Sequence, residues 1–433
     1  MSVHTSAIDI DSRPLSRLQY ATIFVCFLMN ILDGMDVLVI SYCAPAIAES
    51  WNVSPETLGI VFSAGLAGMT LGAFLLAPFA DQFGRKNMIL LSAVLMGSSI
   101  FLTAYSDSVT MLIAFRFVSG IGIGSMLAST AALIAEYTPN RSKDFWVSAV
   151  IAGYPVGAVI SGLVAAEVVP DSGWQRMFQI AGLASFVPLP FIWIFLSESV
   201  EFYLKKQPKN ALEKVNIILS KMSHPRLESL PTLQPKGASI PAAKLLGPKY
   251  RISTLELWLA LFLAFGSLYF LTSWIPKLAT NAGLSLSLAI YAGTVFNGGA
   301  FFGILTQGYF SSRLGLKKTI GVFFIATALL MAFFKFFMGS DILLFIFGLL
   351  GFGIQGGFVG LYAVAARMYP TEFRTTGVGW SIGAGRLGGV IGPAVGGILI
   401  GMGLSMATNF LIFAIPTVLT GIVTLFISSK EIS

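Results

Sequence analysis

Four ionisable side chains stand inside long apolar stretches of the chain: Asp33, Asp36, Arg116 and Arg386. At the centre of a helix in hydrocarbon, such a group costs at least ~2.5–3.5 kcal/mol. These four must therefore face one another or a polar cavity. Two acids and two bases so placed can do proton chemistry. Burial raises a carboxylate's affinity for its proton, and a nearby guanidinium lowers it. Movement of the guanidinium then changes proton affinity, which is what coupling a proton to a conformational change requires. Asp33 is the first candidate for the proton carrier, with Asp36 supporting it. Arg386 suits a substrate carboxylate, because guanidinium binds one bidentately. Arg116 can serve the substrate, the acid pair, or both in turn. The alternative reading is a set of structural ion pairs that orient helices.

The apolar stretches are what must position these groups. Of the 433 residues, 55% are hydrophobic and 11% charged, with mean hydropathy +0.82. A soluble domain carries roughly 25% charged residues. So few charges exclude ordinary cytosolic enzymes, nucleic-acid-binding modules and disordered chains. Apolar runs occupy 18–40, 57–80, 87–105, 109–137, 145–167 and 175–197. A polar stretch, 198–254, follows, and then runs at 255–276, 287–311, 317–337, 341–366, 376–400 and 405–428. Each suffices for a hydrocarbon core of about 30 Å. The runs are continuous rather than alternating, which predicts helices and not a barrel. Counting about 1.5 Å per residue, Asp33 and Arg116 reach similar heights and Arg386 lies near the midplane. The first, fourth and eleventh runs can thus share one cavity.

Lysine and arginine fix the topology. With alternating sides and a cytoplasmic N-terminus, inner segments hold 22 of them, and the outer side holds Arg176, Lys277 and Lys335. The positive-inside rule then predicts an even number of spans with both termini cytoplasmic. The net charge of +7 is a topology signal and not a sign of nucleic-acid binding. The expected organisation is a tail 1–17, a six-helix bundle 18–197, a cytoplasmic loop 198–254 with one short helix near 207–222, a second bundle 255–428 and a tail 429–433.

The two cysteines, Cys26 and Cys43, fall on one helix about 25 Å apart, too far for a disulfide. The histidines, His4 and His224, make no metal spacing with them, so no metal and no cofactor is expected. Ala46-Ile47-Ala48 resembles a signal cleavage site, but Asp33 and Asp36 interrupt the run, so no cleavage is expected. Gly383-Ala-Gly-Arg-Leu-Gly388 matches a dinucleotide fingerprint without the strand that reading needs; small-residue helix packing accounts for it. Asn52-Val-Ser54 is a glycosylation sequon that matters only in a secretory eukaryote, and no P-loop lysine motif points to ATP.

The halves repeat. At a constant offset of 231, Gly72 meets Gly303, Gly84 meets Gly315, Lys86 meets Lys317, Gly120 meets Gly351, Gly122 meets Gly353, Pro139 meets Pro370, and Gly157 meets Gly388. A parallel six-helix repeat is the layout of secondary transporters that rock around a midplane site.

The segment Asp81-Gln-Phe-Gly-Arg-Lys86, after Gly72, resembles the loop between helices 2 and 3 of the major facilitator superfamily. Arg116 with Gly120, Gly122 and Gly124, then Glu136-Tyr-Thr-Pro-Asn-Arg141, resembles its helix 4 and the loop after it. Leu32-Asp-Gly-Met-Asp36 is similar to the helix 1 element of the aromatic acid:proton symporter family, and Tyr369-Pro-Thr-Glu-Phe-Arg374 through Arg386 also resembles that family. The resemblance implies an all-α membrane protein of 12 spans in two six-helix bundles. It also implies that Asp81, Arg85, Glu136 and Arg141 latch the cytoplasmic gate. In the second copy Ser312 and Leu316 replace Asp81 and Arg85, leaving Glu372 and Arg374 for the other half. Helix capping and topology anchoring are the alternative roles for these charges.

Tyr154, Tyr269, Trp274 and Tyr362 could line a ligand wall, although only one side of each helix would face a cavity. Asn297 and Gln355 are polar and mid-helix, a pattern more often seen in helix–helix contacts. With Arg116 and Arg386, the candidate substrate set comprises Tyr154, Trp274, Asn297 and Gln355. The expected function is proton-coupled import of a small carboxylate, such as a benzoate or hydroxybenzoate, by a monomeric carrier in the inner or plasma membrane. A muconate-like dicarboxylate, nicotinate or a sugar acid fits the same class. Proton-antiport export and a membrane sensor are the rival readings. No nucleophile–base constellation supports an enzyme.

Overall fold

The computed structural model describes residues 14–76, 79–139, 142–231, 242–370 and 374–427. All regular elements among the described residues are helical. In chain order they are α1 (Arg17–Trp51), α2 (Pro55–Leu71), α3 (Ala80–Phe83), α4 (Arg85–Thr103), α5 (Val109–Tyr137), α6 (Lys143–Ile151), α7 (Gly153–Phe186) and α8 (Pro188–Phe195). Two short helices follow, α9 (Val200–Lys206) and α10 (Ala211–Lys221). The second series is α11 (Arg251–Asn281), α12 (Leu286–Leu314), α13 (Leu316–Ala332), α14 (Leu343–Met368), α15 (Arg374–Gly401) and α16 (Met406–Phe426).

Ten helices among the described residues are long and apolar enough to cross a membrane. One of them, 145–195, is interrupted at Gly173, whose φ of 80° and ψ of 167° are not helical. Glycine reaches that conformation without steric cost. Here the structure replaces the expected loop between the fifth and sixth runs by a kink within α7. α13 has 17 residues and is followed by a 3-10 turn, Phe334–Phe337, so the run 317–337 is not one uninterrupted helix. Among the described residues the polar stretch holds two α-helices, α9 and α10, and a 3-10 turn, Ala242–Leu246, where the sequence pattern predicts one short helix.

Helix starts are written in short polar residues. Ser16 and Gln19 form a capping box at α1, closing two otherwise unsatisfied backbone donors. Ser54 accepts from the Thr57 amide at 3.3 Å, and Ser285 accepts from the Leu288 amide at 3.4 Å. These serines occupy equivalent positions of the repeat, each opening the second long helix of its half. Gly84 and Gly315 turn the chain after those helices with φ of 95° and 91°.

The repeat extends to interatomic packing. Gly157 of α7 crosses α1 where a Cβ would overlap the Ile31 carbonyl. Its partner Gly388 of α15 crosses α11 where a Cβ would overlap the Phe262 carbonyl. Small residues permit such backbone approach in helix bundles. Helices α1–α8 pack mainly on one another, as do α11–α16. The two groups meet along α2 with α15, α7 with α12 and α1 with α11. Ser63 donates to the Val390 carbonyl at 2.6 Å, Ser41 to the Thr272 carbonyl at 2.7 Å, and Ser287 to the Ala166 carbonyl at 3.2 Å. All three contacts lie in the half of these helices remote from the N-terminus.

Gly157→Ala and Gly388→Ala should each destabilise the protein by about 1–3 kcal/mol, because backbone cannot yield to the new methyl. Gly308→Ala, with open space at its Cβ position, should be neutral or slightly stabilising. Thermal unfolding of the three variants in detergent measures this. Equal midpoints would show that the crossings are not close-packed.

Candidate functional site

The α1–α7 crossing positions the acids. Between Asp33 and Asp36 lies Gly34, where a Cβ would overlap the Tyr154 carbonyl. The glycine lets α1 lie against α7 and carries both acids into the interior, where Asp33 is 2% and Asp36 0% exposed. The Ser185 hydroxyl lies 3.3 and 3.4 Å from the two Asp36 carboxylate oxygens. Arg116, itself buried, donates from Nη1 to the main-chain carbonyl of Asp36 at 3.1 Å. It is also the charge neighbour of the Asp36 carboxylate. Gly65 on α2 leaves room for that guanidinium, its Cβ position lying 3.4 Å from Arg116 Nη2.

Asp33 has a different neighbour. Its charge neighbour is Arg386, on the other half of the molecule. Asp33 Oδ1 is fully buried with no hydrogen-bond partner. None of these four residues forms an ion pair within 4 Å among the described residues. Depth along the helices predicts their shared level, but the acids are less than one turn apart, so height does not decide which arginine each one faces. The structure assigns Arg116 to Asp36 and Arg386 to Asp33.

An aromatic chain flanks Arg386. Tyr269 stacks on Phe265 with centroids 5.9 Å apart, and Phe265 meets Phe358 edge to face at 4.7 Å. Phe358 meets Tyr362 at 5.4 Å. Gly385 and Gly389, on either side of Arg386 in α15, point their missing side chains at the Phe265 and Tyr269 rings. Tyr154 stands on the opposite side of the seam, within electrostatic reach of Tyr269 and Asp33. A cavity of about 20 Å³ between the halves is lined by Arg116, Tyr269, Ser41 and Thr272. Tyr269 thereby touches the surroundings of both acid–arginine pairs. Sequence reading offered Tyr269 and Tyr362 among the wall candidates without singling them out.

The remaining candidates are spread around this centre. Trp274 is fully buried; its indole donates to the Pro393 carbonyl at 2.9 Å, and its ring packs edge to face on Phe62 of α2 at 5.1 Å. It stands in the seam with its polar atom already engaged. Asn297 donates to the Gly293 carbonyl at 2.9 Å and reaches the Tyr42 hydroxyl at 3.5 Å. Tyr42 in turn donates to the Ala158 carbonyl at 2.9 Å, so this polar knot joins the halves. Tyr42 stands in an apolar run and was not singled out from the sequence. Gln355 is buried on α14. Cys26 and Cys43 are buried and free.

At the end of the molecule near the N-terminus, Arg85 pairs with Glu136 and with Glu201 at 3.5 Å. Glu198, which the sequence did not single out, accepts the Arg85 and Lys86 amides at 2.7 and 3.1 Å. A carboxylate at a helix N-terminus satisfies free N–H groups and complements the helix dipole. Ser199 bonds Glu136, and the Tyr137 hydroxyl donates to the Glu198 carbonyl at 2.8 Å. Burial and the Glu198 carboxylate push the Tyr203 phenol of α9 above its ordinary value. These contacts all stay within one half. Arg374 is exposed and donates to the Tyr369 carbonyl at 3.3 Å. Arg141, Glu372 and the side chain of Asp81 lie outside the described residues, as does His4. Glu198→Ala should free the first turn of α4 at a cost of about 1–2 kcal/mol. Hydrogen exchange of the 85–88 amides tests this, and unchanged protection would show that Glu198 is not the cap.

The sequence profile of the Major Facilitator Superfamily matches residues 26–306 and 257–432. The 4-hydroxybenzoate transporter PcaK of Acinetobacter baylyi is 32% identical, over 94% of this chain and 90% of its own length. The benzoate transport protein of the same organism is 30% identical, over 96% of this chain and 91% of its own. A gallate transporter of Pseudomonas putida is also 30% identical, over 94% and 91%. Among solved structures, a D-xylose-proton symporter superposes with a TM-score of 0.75 at 16% identity, over 95% of this chain and 98% of that one. With many apolar helices and relatives matched along nearly their whole length, this is a multi-pass membrane protein, and the chain belongs to the Major Facilitator Superfamily.

Proposed function

We propose that the protein is a proton-coupled symporter that imports an aromatic carboxylate across the inner or plasma membrane. The observation that carries this reading is the electrostatic pairing of Asp33 and Arg386 from opposite halves, beside a chain of aromatic rings. The names of the relatives, which transport 4-hydroxybenzoate, benzoate and gallate, support an aromatic acid as substrate. Division of 145–195 at Gly173 and inclusion of α13 turn the ten long helices into twelve spans. With the lysine and arginine imbalance, both termini are then cytoplasmic. The bundles are 18–197 and 255–428, and 198–254 is the cytoplasmic loop. One chain encloses the whole site, which favours a monomer, and no cofactor beyond the proton is needed.

On that topology the contacts at Ser41, Ser63 and Ser287 close the outer side. Coupling follows from competition. A substrate carboxylate on Arg386 takes the cation that faces Asp33. A buried Asp33 without its counterion is costly as an anion, so substrate and proton enter together. Asp36 and Arg116 hold a parallel pair inside one bundle. Arg85, Glu136 and Arg374, with Asp81, Arg141 and Glu372, are assigned to the cytoplasmic gate. Trp274, Asn297 and Gln355 complete the wall and seam around the substrate.

Uptake of labelled 4-hydroxybenzoate into proteoliposomes under an inward proton gradient tests the reading. Wild-type protein should accumulate it, a protonophore should collapse the gradient of label, and unlabelled aromatic acids should compete. Asp33→Asn should abolish accumulation while exchange of internal for external substrate persists. Arg386→Lys should raise KM about tenfold or more, because an ammonium offers no bidentate fork. Wild-type accumulation by Asp33→Asn would remove Asp33 as the proton carrier.

A further inference from the structure

The phenols of Tyr154, Tyr269 and Tyr362 share one condition in the interior between the halves. All three rings are half-buried around the Asp33–Arg386 pair, yet none of their hydroxyls has a hydrogen-bond partner among the described residues. The fully buried tyrosines, by contrast, use theirs: Tyr42 on Ala158, Tyr137 on Glu198 and Tyr369 on Thr254. The oxygens of Tyr154, Tyr269 and Tyr362 are not sealed from the space around them, so each is free to bond a polar group that enters beside it. Three left open at one place mark a surface that expects polar groups from a ligand.

The three are not equivalent. Tyr362 and Tyr269 are neighbours of Arg386 and belong to the same half. Tyr154 belongs to the first half and has Tyr269, Asp33 and Tyr42 as its electrostatic neighbours. Its backbone is pinned, since the Tyr154 carbonyl is the atom that Gly34 packs against. The ring therefore projects from the tightest crossing of the first half and is poorly free to move. A ligand whose carboxylate sits on Arg386, with its ring against Tyr269, points its far edge at Tyr154.

Resting on the aromatic-acid reading above, we propose that Tyr154 is the specificity-determining residue for the ring substituent, and that its hydroxyl bonds a phenolic hydroxyl of the substrate opposite the carboxylate. The substrate then bridges the halves, with its anion on α15 and its hydroxyl on α7. A site built to hydrogen-bond a ligand hydroxyl discriminates against the analogue that lacks it, because the protein group is left unpaired. An unsubstituted benzoate fills the same space but leaves Tyr154 without a partner. Tyr362, beside the cation, contributes to holding the carboxylate and not to this choice.

Competition against labelled 4-hydroxybenzoate measures the selectivity. The ratio of half-inhibiting concentrations, benzoate over unlabelled 4-hydroxybenzoate, is read in wild type, Tyr154→Phe and Tyr362→Phe. Phenylalanine conserves the ring volume, so packing against α1 is retained. The wild-type ratio should exceed one, and Tyr154→Phe should lower it by roughly five- to tenfold, the size of one neutral hydrogen bond. Tyr362→Phe should weaken both ligands together and leave the ratio in place. If Tyr154→Phe transports nothing, the same ratio is taken from binding of the two acids to the purified variant in detergent. An unchanged ratio in Tyr154→Phe, or an equal fall in Tyr362→Phe, overturns the assignment while the aromatic-acid reading stands. Absence of any aromatic-acid uptake or binding by the wild type overturns both.

Discussion

The constraint on which the rest of the structure depends is the cost of an ion in hydrocarbon. A carboxylate on a lipid-embedded helix cannot be left to face the bilayer, so its position dictates what surrounds it. Asp33 and Asp36 need a helix pressed close enough to shield them, and Gly34 supplies that by admitting the Tyr154 carbonyl. They need cations at their own depth, and Arg116 and Arg386 are there. Each cation needs room of its own. Gly65 provides it for Arg116, and Gly385 and Gly389 open the wall beside Arg386 to aromatic rings. The glycine content of these helices is a consequence of where the charges are.

The four groups are solvated differently. Asp36 has a hydroxyl from Ser185, and Arg116 has a carbonyl, so the pair is embedded in neutral contacts within a single bundle. Asp33 has one oxygen with no partner and a cation on the far side of the seam. Its environment changes if the halves move relative to one another, whereas that of Asp36 does not. Under the proposed function this difference assigns the two acids. The acid whose counterion can be withdrawn by motion or by a substrate is the one able to couple, and the acid tied inside a rigid body is the one able to hold structure.

Much of this was legible in the sequence, because the signals are local or periodic. Apolar runs give the helices, short polar residues give their starts, and the constant offset of 231 gives the repeat. Charges inside apolar runs announce themselves by their cost. What was not legible depends on contacts between distant segments. Glu198 looks like one acid among several in a polar stretch, and only the fold brings it to the N-terminus of α4. Trp274 has the composition of a ligand wall, but its ring is buried on Phe62 and its indole bonds Pro393. Periodicity cannot show which side of α11 meets the other half. The kink at Gly173 shows the same limit, since a left-handed glycine and a loop leave similar marks in composition.

The repeat makes the asymmetry of the site informative. At the constant offset Asp33 corresponds to Ala264, Asp36 to Ser267, Arg116 to Phe347 and Arg386 to Pro155. Crossing glycines such as Gly157 and Gly388 repeat, and none of the four charges does. Two copies of one bundle would give a symmetric seam with equivalent groups on either side, able to close equally well at both ends but with no reason to prefer an ion to its absence. Placing both acids and one arginine in the first half, and a single arginine with an aromatic chain in the second, leaves one charge interaction among these four groups that spans the seam, between Asp33 and Arg386. A ligand anion that replaces Asp33 at Arg386 acts on the contact between the halves itself. A ligand can shift a conformational equilibrium only through its differential affinity for the two states. A site that straddles the seam supplies that difference directly, because its two sides separate when the halves rotate.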